Sequence, residues 1–474
     1  MLDDLLQNGI RLTIDAEEFI KTIPKEKDNL LLTSIINLKK PLIAKADIEQ
    51  LIPKVEIVRS TNFLPLAKEY SANIKVNESR DVTGKSRTKG EVENFINHFR
   101  DRYERLSRLL KRPGASAIGL EDAKKQIGEK VRVIVFVTEK RETKKGNVLL
   151  QLEDMTGTFM AIVSSNKKDE KIGEKIKGIL IDEVISITGK VLEPYIIVED
   201  IEWPDMPVIR ERREVENDLA TVYLSDLHFG SKYFMGKNLN LFVDWIHGKG
   251  EAKELAGKVK YIVIAGDVAD GIGVYPNQEK ELAVKDIYQQ YKMFDEFVEK
   301  IPDHIEIIVG PGNHDAVRRG EPQPAMGKDL FSADVIRIGN PSSVSIEGLR
   351  HLIYHGTSMD SMIANLPGAS YHHPEKVMIE YLKRRHLSPI YGGNLIIPEN
   401  IDYMVIDDPP DIFHSGHVHK NGYAQYRGTL IINSGTFQDR TDFQVKQGHV
   451  PTPALVPVYE MKSKKLRTLD FTIS

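Results

Sequence analysis

The sequence contains no cysteine among its 474 residues. Disulfide bonds, zinc ribbons and thiol catalysis are therefore excluded, and any metal must be bound by His, Asp, Glu or Asn. Long apolar runs are also missing, so we expect no membrane-spanning helix and no membrane partner. Near the N-terminus, Asp3 and Asp4 interrupt the leucines, which is not the basic-then-apolar pattern of a secretory signal. We therefore expect a cytoplasmic protein.

An excess of positive charge is missing as well. The formal net charge is −4, so the molecule as a whole does not attract polyanions. Any nucleic acid would have to be bound by local patches, a metal centre or a partner. Apolar residues make up 41% and charged residues 28% of the chain, an ordinary composition for a soluble globular protein. The length predicts roughly two to four domains.

The first 126 residues show helical patterns interrupted by a polar stretch. Residues 1–55 predict a small helical unit for packing or docking, and residues 56–90 predict a flexible linker because they lose periodicity and become polar. Residues 91–126 predict a basic amphipathic helix and a connector. Its basic face contains Arg100, Arg102, Arg105 and Arg108. Such a face is usually solvated, and binding to DNA or to an acidic partner is the alternative.

Residues 127–205 change to the pattern of a β-domain. Five segments rich in β-branched residues, separated by polar hairpins, are the predicted strands: 131–137, 148–152, 159–163, 179–191 and 195–198. This organisation resembles an OB-fold barrel, a fold that often binds single-stranded nucleic acid. Because few aromatic residues are available to stack on bases, a scaffold and a weak DNA-contact surface both stay open.

From residue 217 to residue 474, strand and helix patterns alternate, which predicts an α/β domain. The predicted strands cover residues 220–224, 259–265, 305–309, 351–354 and 430–432. Helical patterns between them cover residues 239–246, 279–300 and 375–383. In such domains the functional loops follow the carboxyl ends of the strands, so chemistry is expected there.

Potential metal ligands follow the strands of this domain. Asn313, His314 and Asp315 stand in a row behind a Gly-Pro-Gly turn. Other strand ends supply Asp226, His228, Asp267, His355, His417 and His419. Each of these residues alone is explained by an ordinary turn. Together they supply the roughly six or seven oxygen and nitrogen ligands that two divalent ions need when one carboxylate is shared.

The ordered motifs D-x-H, G-D, G-N-H-D, H-G and G-H-x-H resemble those of the calcineurin-like metallophosphoesterases. The resemblance implies a two-sheet αββα sandwich and two divalent metal ions. For the first ion it implies the ligands Asp226, His228 and His419. For the second ion it implies Asn313, His355 and His417, with Asp267 as the bridge between the two ions.

The same resemblance assigns His314 to the leaving oxygen of the scissile phosphate and Asp315 to the orientation of His314. A diester substrate is favoured, because Asp267 is not followed by the arginine with which protein phosphatases of this family clamp a monoester dianion. Arg318 and Arg319 are candidates for contact with a nucleic-acid backbone. Their alternative is that both charges are simply solvated.

A barrel before a phosphoesterase domain, together with the stretches 354–360 and 383–392, resembles the small-subunit family of archaeal family D DNA polymerases. This resemblance implies a nucleoid-associated 3′→5′ exonuclease that proofreads DNA 3′ ends, single-stranded or mismatched, for a large catalytic polymerase subunit. Mn²⁺ is the expected metal, and Fe²⁺ or Zn²⁺ suit the same ligands. Two alternatives are a catalytically silent scaffold and a stand-alone phosphodiesterase acting on small molecules or cyclic nucleotides.

Overall fold

The structure of the chain is a computed structural model that describes residues 5–472 except 7, 22–31, 33–34, 37, 39, 52–62, 113, 164–169 and 212. The chain divides into two compact units, Met1–Phe63 and Leu64–Ser474. No helix in the described ranges combines the length and the apolar composition that crossing a bilayer requires.

The described part of the first unit contains two short helices, α1 (Ile14–Lys21) and α2 (Lys45–Leu51). Two parallel strands, β1 (Arg11–Leu12) and β2 (Leu42–Ile43), accompany them. The apolar side chains of this unit form a small core of Leu5, Ile10, Ala16, Ile20, Ile35, Ile43 and Ile48. The sequence predicts only helices here, because two-residue strands carry no periodic signal.

The prediction of a flexible linker over residues 56–90 is wrong for residues 63–90, the part that the structure describes. Within the second unit, a strand, β3 (Ile74–Val76), pairs antiparallel with Val344–Ile346. Asp81 is buried and accepts hydrogen bonds from the backbone of Gly339 at 2.7 Å and the hydroxyl of Ser342 at 2.9 Å. The polar composition of this segment therefore reflects buried hydrogen bonding and not flexibility.

The next segment contains three helices, α3 (Val92–Leu110), α4 (Leu120–Lys124) and α5 (Glu170–Lys177). Its five strands are β4 (Lys130–Glu142), β5 (Val148–Glu153), β6 (Thr158–Val163), β7 (Val184–Leu192) and β8 (Tyr195–Glu202). They form a closed barrel in the order β4-β5-β6-β8-β7. Alternating side chains such as Val133 and Val135 fill its interior. The prediction of a five-stranded β-domain in this stretch is confirmed.

Two six-stranded sheets follow within the described residues. The first sheet contains, in spatial order, β12 (Ile336–Arg337), β11 (Glu306–Gly310), β10 (Val259–Ala265), β9 (Ala220–Leu224), β18 (Leu455–Glu460) and β19 (Lys465–Asp470). The second contains β16 (Gly422–Tyr426), β17 (Thr429–Asn433), β15 (Ile412–Ser415), β14 (Leu349–Ile353), β13 (Ser342–Ile346) and β3. Strands β9 to β12 are parallel, and so are β14, β15 and β17.

The two sheets pack face to face. Tyr223 and Val263 of the first sheet share one apolar core with Val344 and Ile353 of the second. The hydroxyl of Tyr223 lies 2.9 Å from Nε2 of His351 across this interface. Every residue of β9 and β10 is buried, as expected for parallel strands that are covered on both faces. The predicted mixed α/β domain is confirmed.

Helices cover the outside of the sandwich. They are α6 (Gly236–Ile246), α7 (Lys253–Lys258), α8 (Ile287–Val298), α9 (Met359–Asn365), α10 (Pro374–Arg384) and α11 (Asp442–Gln447). On the second sheet, Tyr381 of α10 shares a core with Phe413 of β15. Phe242 of α6 and Phe297 of α8 lie with ring centroids 6.5 Å apart. The site lies at the carboxyl ends of the central parallel strands.

Two arginines of α3 are not solvated. Nε of Arg102 donates to Oδ2 of Asp402 at 2.6 Å, and the Arg102 side chain is 1% exposed. Nε of Arg105 donates to Oδ1 of Asp407 at 2.9 Å. The prediction of a solvated basic face is wrong for these two residues, because the apolar spacing of the helix did not reveal acidic partners about 300 residues away. Their charges attach α3 to the phosphoesterase domain.

Asp402 is the centre of this attachment. Its Oδ2 lies 2.9 Å from Nε2 of His386 and 3.3 Å from Nε2 of His98. Burial raises the pKa of the Asp402 carboxyl, but His98 and Arg102 outweigh burial and hold that pKa well below its ordinary value of 3.8. Its contribution to the free energy of unfolding is therefore fully present above pH 3.8. That contribution is lost as the pH falls from there through the folded-state pKa.

We expect Asp402→Ala to lower the free energy of unfolding by about 3–5 kcal/mol at neutral pH, because it leaves Arg102 buried without its anion. Denaturant unfolding measures the change. Asp408→Ala is the matched control, since the Asp408 side chain is 64% exposed and Arg350 lies 3.9 Å from it. The control should change stability by less than about 0.5 kcal/mol. Equal losses in the free energy of unfolding would show that the buried Asp402 cluster stabilises the chain no more than an exposed ion pair does.

Candidate metal centre

The predicted ligands meet at one edge of the two sheets. Asp226 lies two residues after the end of β9, Asp267 two residues after β10 and Asn313 three residues after β11. His355 and His417 stand just behind β14 and β15 of the second sheet. Parallel strands bring their carboxyl ends to the same edge, so residues far apart in the chain become neighbours. A cavity of about 280 Å³ opens among these strand ends.

Asp226, His228 and His419 form the first ligand group. Each offers one ligand atom, and these atoms lie within 4.8 Å of one another. Nε2 of His419 lies 3.0 Å from Nε2 of His228 and 3.4 Å from Oδ1 of Asp226. Oδ2 of Asp267 lies 3.9 Å from Nε2 of His228. Imidazole nitrogens and carboxylate oxygens thus face a common centre, which is a donor set for a divalent cation.

Asp267 also belongs to a second group, with Asn313, His355 and His417. Nε2 of His355 lies 3.2 Å from Oδ2 of Asp267 and 3.0 Å from Oδ1 of Asn313. Nδ1 of His417 lies 2.9 Å from the same Asn313 oxygen. The structure therefore brings the seven predicted ligands together in two groups that share one carboxylate. That these residues bind metal stays a prediction.

The surroundings of three ligand histidines indicate whether a metal fits the site. In each ring, the outer nitrogen, which points away from the other ligands, contacts an oxygen atom. Nδ1 of His228 lies 2.9 Å from Oδ1 of Asp270, and Nε2 of His417 lies 3.0 Å from Oδ2 of Asp360. Nδ1 of His355 lies 2.7 Å from the backbone carbonyl oxygen of residue 265. Because these oxygens only accept, each outer nitrogen carries a proton, and the inner nitrogen is the one that would bind a metal once it has lost any proton of its own. The orientation of these three rings therefore fits metal binding through the inner nitrogens.

The pKa values of the ligand side chains depend on the charges of their neighbours. Burial lowers the pKa of His355, but Asp267 and then Asp226 outweigh burial and raise that pKa to about 10. Burial raises the pKa of Asp267, yet His355 and His314 hold it well below its ordinary value. Burial lowers the pKa of His314 and of His419. Buried carboxylates that require a positive partner are a setting in which divalent cations are bound strongly.

Five of the seven ligands have a left-handed backbone. The φ angles are 53°, 51°, 52°, 71° and 55° for Asp226, His228, Asp267, His417 and His419. Residues other than glycine rarely adopt this conformation, which costs about 1–3 kcal/mol wherever the surroundings enforce it. The backbone N–H of Asp226 donates to the carbonyl of Gly266 at 2.9 Å, and that of His417 donates to the Asp226 carboxylate at 3.0 Å. Such concentrated strain supports a functional role for the edge.

Two glycines let the loops of Asp267 and Asn313 approach each other. A Cβ atom on Gly312 would lie 2.2 Å from Oδ1 of Asp267. A Cβ atom on Gly266 would lie 2.6 Å from the backbone nitrogen of Gly312. Any larger residue would push the two loops apart and separate the shared carboxylate from Asn313. This contact is the physical reason for glycine in the G-D and G-N-H-D motifs.

His314 lies beside the first ligand group and is fixed from behind. Its Nδ1 donates to the backbone carbonyl of Asp270 at 2.7 Å, so Nε2 is the nitrogen that can meet a substrate. The prediction that Asp315 orients His314 is wrong. The Asp315 carboxylate accepts the backbone N–H of Gly312 at 2.8 Å and the hydroxyl of Tyr291 at 3.1 Å. Asp315 therefore stabilises the loop, and Asp270 orients His314.

The two predicted DNA contacts differ in their surroundings. Nη1 of Arg318 lies 3.2 Å from Oε1 of Glu399 and 2.6 Å from the hydroxyl of Ser86, and its side chain is 25% exposed. Arg318 therefore pairs with Glu399 and Ser86, and these contacts join separate segments of the chain. Arg319 is exposed, with Nη2 donating to the carbonyl of Gly273 at 2.6 Å. Contact of either residue with DNA stays a prediction.

Comparison with known proteins agrees with the geometry. The calcineurin-like phosphoesterase family matches residues 220–421. A DNA polymerase II small subunit from Archaeoglobus fulgidus is 42% identical over 90% of this chain and 88% of its own. The chain belongs to the DNA polymerase II small-subunit family. Other small subunits of this name, from Methanocaldococcus jannaschii and Methanothermobacter thermautotrophicus, are 41% and 40% identical over 84% and 83% of this chain and 68% and 82% of their own.

Membership of the DNA polymerase II small-subunit family confirms the resemblance to archaeal family D polymerases drawn from the motifs. Several side chains that surround the ligands were missed by the sequence reasoning. Asp270 and Asp360 each contact a ligand histidine, and the amide of Gln444 lies 2.9 Å from Nδ1 of His419. Asp270 follows the G-D motif by only three residues, which is a usable signal. Gln444 has none, because only the fold brings it to His419.

Proposed function

We propose that the chain is a two-metal 3′→5′ exonuclease that proofreads DNA, and a scaffold for the large catalytic subunit of a family D DNA polymerase. The observation that carries the activity is the convergence of two complete ligand groups, sharing Asp267, on one cavity. The name of its relatives, DNA polymerase II small subunit, supports the partner and the polymer. Mn²⁺ is the metal we expect, because carboxylate, amide and imidazole ligands together suit it.

Two divalent ions bound by the seven ligands would polarise the scissile phosphate and acidify a water molecule. As the water oxygen bonds to phosphorus, the bond from phosphorus to O3′ of the preceding nucleotide breaks, and O3′ takes up a proton. His314 delivers that proton from Nε2, while the Asp270 carbonyl holds its Nδ1 at 2.7 Å. Burial lowers the pKa of His314, and the negative charge of a bound phosphate offsets this by favouring the protonated ring.

The lining of the cavity supports a diester. Among the described residues that line it there is no arginine and no lysine. A phosphomonoester dianion benefits from such a cation, whereas a diester carries less charge and needs it less. Asp267 is followed by Val-Ala-Asp-Gly-Ile, so the arginine clamp that follows the bridging Asp in protein phosphatases is missing from this stretch. Because the bond from phosphorus to O3′ breaks, the product is a 5′-mononucleotide released from a DNA 3′ end.

We also infer that the barrel is an OB-fold and that the domains run as residues 127–205 and 217–474, with 1–55 as a small helical unit. The strand order β4-β5-β6-β8-β7 supports the OB assignment, since it closes a small Greek-key barrel of five strands. Phe159 and Tyr195 are partly buried aromatic residues of this barrel, and they are its candidates for stacking on bases.

The decisive experiment measures mononucleotide release from a 3′-labelled oligonucleotide, single-stranded or with a mismatched primer end. The full chain, alone and with its large subunit, should release nucleotides with Mn²⁺ and lose this activity when EDTA is in excess. A silent scaffold would bind the large subunit and release nothing with Mn²⁺, Fe²⁺ or Zn²⁺. Hydrolysis of a cyclic nucleotide without any release from DNA would instead support the stand-alone phosphodiesterase.

A further inference from the structure

Two aromatic rings outside the ligand set line the same cavity. The rings of Tyr371 and His449 lie with centroids 4.0 Å apart and an angle of 35° between their planes. Both side chains are partly exposed, and both border the cavity together with His314 and His417. Tyr371 precedes α10 and His449 follows α11, so only the folded chain stacks the two rings on each other, which leaves one free face on each ring.

A chain of hydrogen bonds connects this surface to the second ligand group. The hydroxyl of Tyr371 donates to Oδ1 of Asp360 at 2.9 Å. Oδ2 of Asp360 accepts from Nε2 of His417 at 3.0 Å. Asp360 thereby holds a ligand histidine and an aromatic ring at a fixed distance from each other. The position of the ring is tied to the place where a phosphate would bind.

We propose that the base of the 3′-terminal nucleotide stacks on the free face of the Tyr371–His449 ring pair, so that one ring contacts the base and the other supports that ring from behind. This inference deepens the proposed function and rests on it. Aromatic side chains bind unpaired bases through their π-faces, whatever the sequence. Because the described lining of the cavity contains no arginine or lysine, stacking is the protein's own means of holding the terminal nucleotide while the metals hold its phosphate.

The same geometry selects an unpaired end. The cavity of about 280 Å³ is near the lower limit of pockets for single ligands, which range over roughly 300–1,000 Å³. A cavity of this size suits one nucleotide better than a base pair. A base stacked on Tyr371 has left its complementary strand, and leaving costs least at a mismatched or single-stranded end. Proofreading selectivity would thus arise from the free energy of pairing at the terminus.

A fluorescent base tests the surface directly. An oligonucleotide with 2-aminopurine at its 3′ end is added to the full chain carrying His314→Ala, in Mn²⁺, and quenching of the fluorescence reports stacking. Quenching should be lost with Tyr371→Ala and with His449→Ala, two variants in separate segments. Tyr371→Phe should keep it, since only the hydroxyl to Asp360 is lost. Tyr288→Ala is the matched control, because that tyrosine is 59% exposed on α8.

Kinetics of the otherwise unaltered chain give a second measurement. Tyr371→Ala and His449→Ala should lower kcat/KM for an ordinary 3′ end by about 5- to 100-fold, with little change for a 3′ end that lacks its base. Parental quenching and parental base preference in both variants would overturn the stacking surface and leave the exonuclease intact. If the parental chain releases no nucleotide from either substrate, the proposed function fails and the stacking surface fails with it.

Discussion

Replacing His314 by alanine should lower the rate of 3′-nucleotide release by about 10²–10⁴-fold while the chain keeps its Mn²⁺. His314 holds its Nδ1 against the Asp270 carbonyl and directs Nε2 to the substrate side, so it acts on a proton and not on a metal. Because His228, Asp270 and His314 also place ligand atoms within 4.8 Å of one another, metal content is the measurement that separates the two roles.

The measurement therefore pairs kinetics with Mn²⁺ titration on the same preparation. His247→Ala is the matched control, since His247 is exposed and its Nε2 lies 2.8 Å from the carbonyl of Lys300, away from the cavity. The control should keep parental activity and parental Mn²⁺ binding. A parental rate in His314→Ala would refute the proton-transfer role, and loss of one Mn²⁺ would make His314 a ligand.

The central strands β9 and β10 could be predicted because they are buried on both faces of their sheet. β9 and β10 begin and end at the predicted residues, since parallel strands buried on both faces appear in the sequence as uninterrupted apolar runs. The edge strands were missed for the opposite reason. β3 has three residues, and β19 is mostly exposed, so neither carries an apolar run. The segment after β3 was predicted to be part of a linker because the contacts that order it, from Asp81 to Gly339 and Ser342, join residues far apart in the chain.

The same distinction applies to the site. The metal ligands were predictable because they stand at strand ends, where the local sequence already implies the geometry. Residues that orient them are brought together by the fold. Asp360 reaches His417 across a distance of 57 residues, and Gln444 reaches His419 across 25. Asp315 was assigned to His314 from the family resemblance, yet its carboxylate accepts the backbone N–H of Gly312 in its own loop.

Replacing Asp267 by asparagine should remove both metal ions and the nuclease activity. The Oδ2 atom of Asp267 lies 3.9 Å from Nε2 of His228 in the first group and 3.2 Å from Nε2 of His355 in the second. Asparagine keeps the size of the side chain and an oxygen that can accept the backbone N–H of His314, which Asp267 now accepts at 2.8 Å. It lacks the negative charge that two adjacent cations require.

Calorimetric titration with Mn²⁺ should show two ions bound to the parental chain and none to Asp267→Asn. The affinity at each site should fall by more than about 100-fold, the upper loss seen when only an outer hydrogen-bond partner is removed. Asp244→Asn, a change on α6 of a carboxylate that is 49% exposed and paired with Lys249, should bind both ions as before. One ion retained at parental affinity would place Asp267 in a single group. Loss of both ions identifies a shared carboxylate, because a ligand of one site leaves the other site intact.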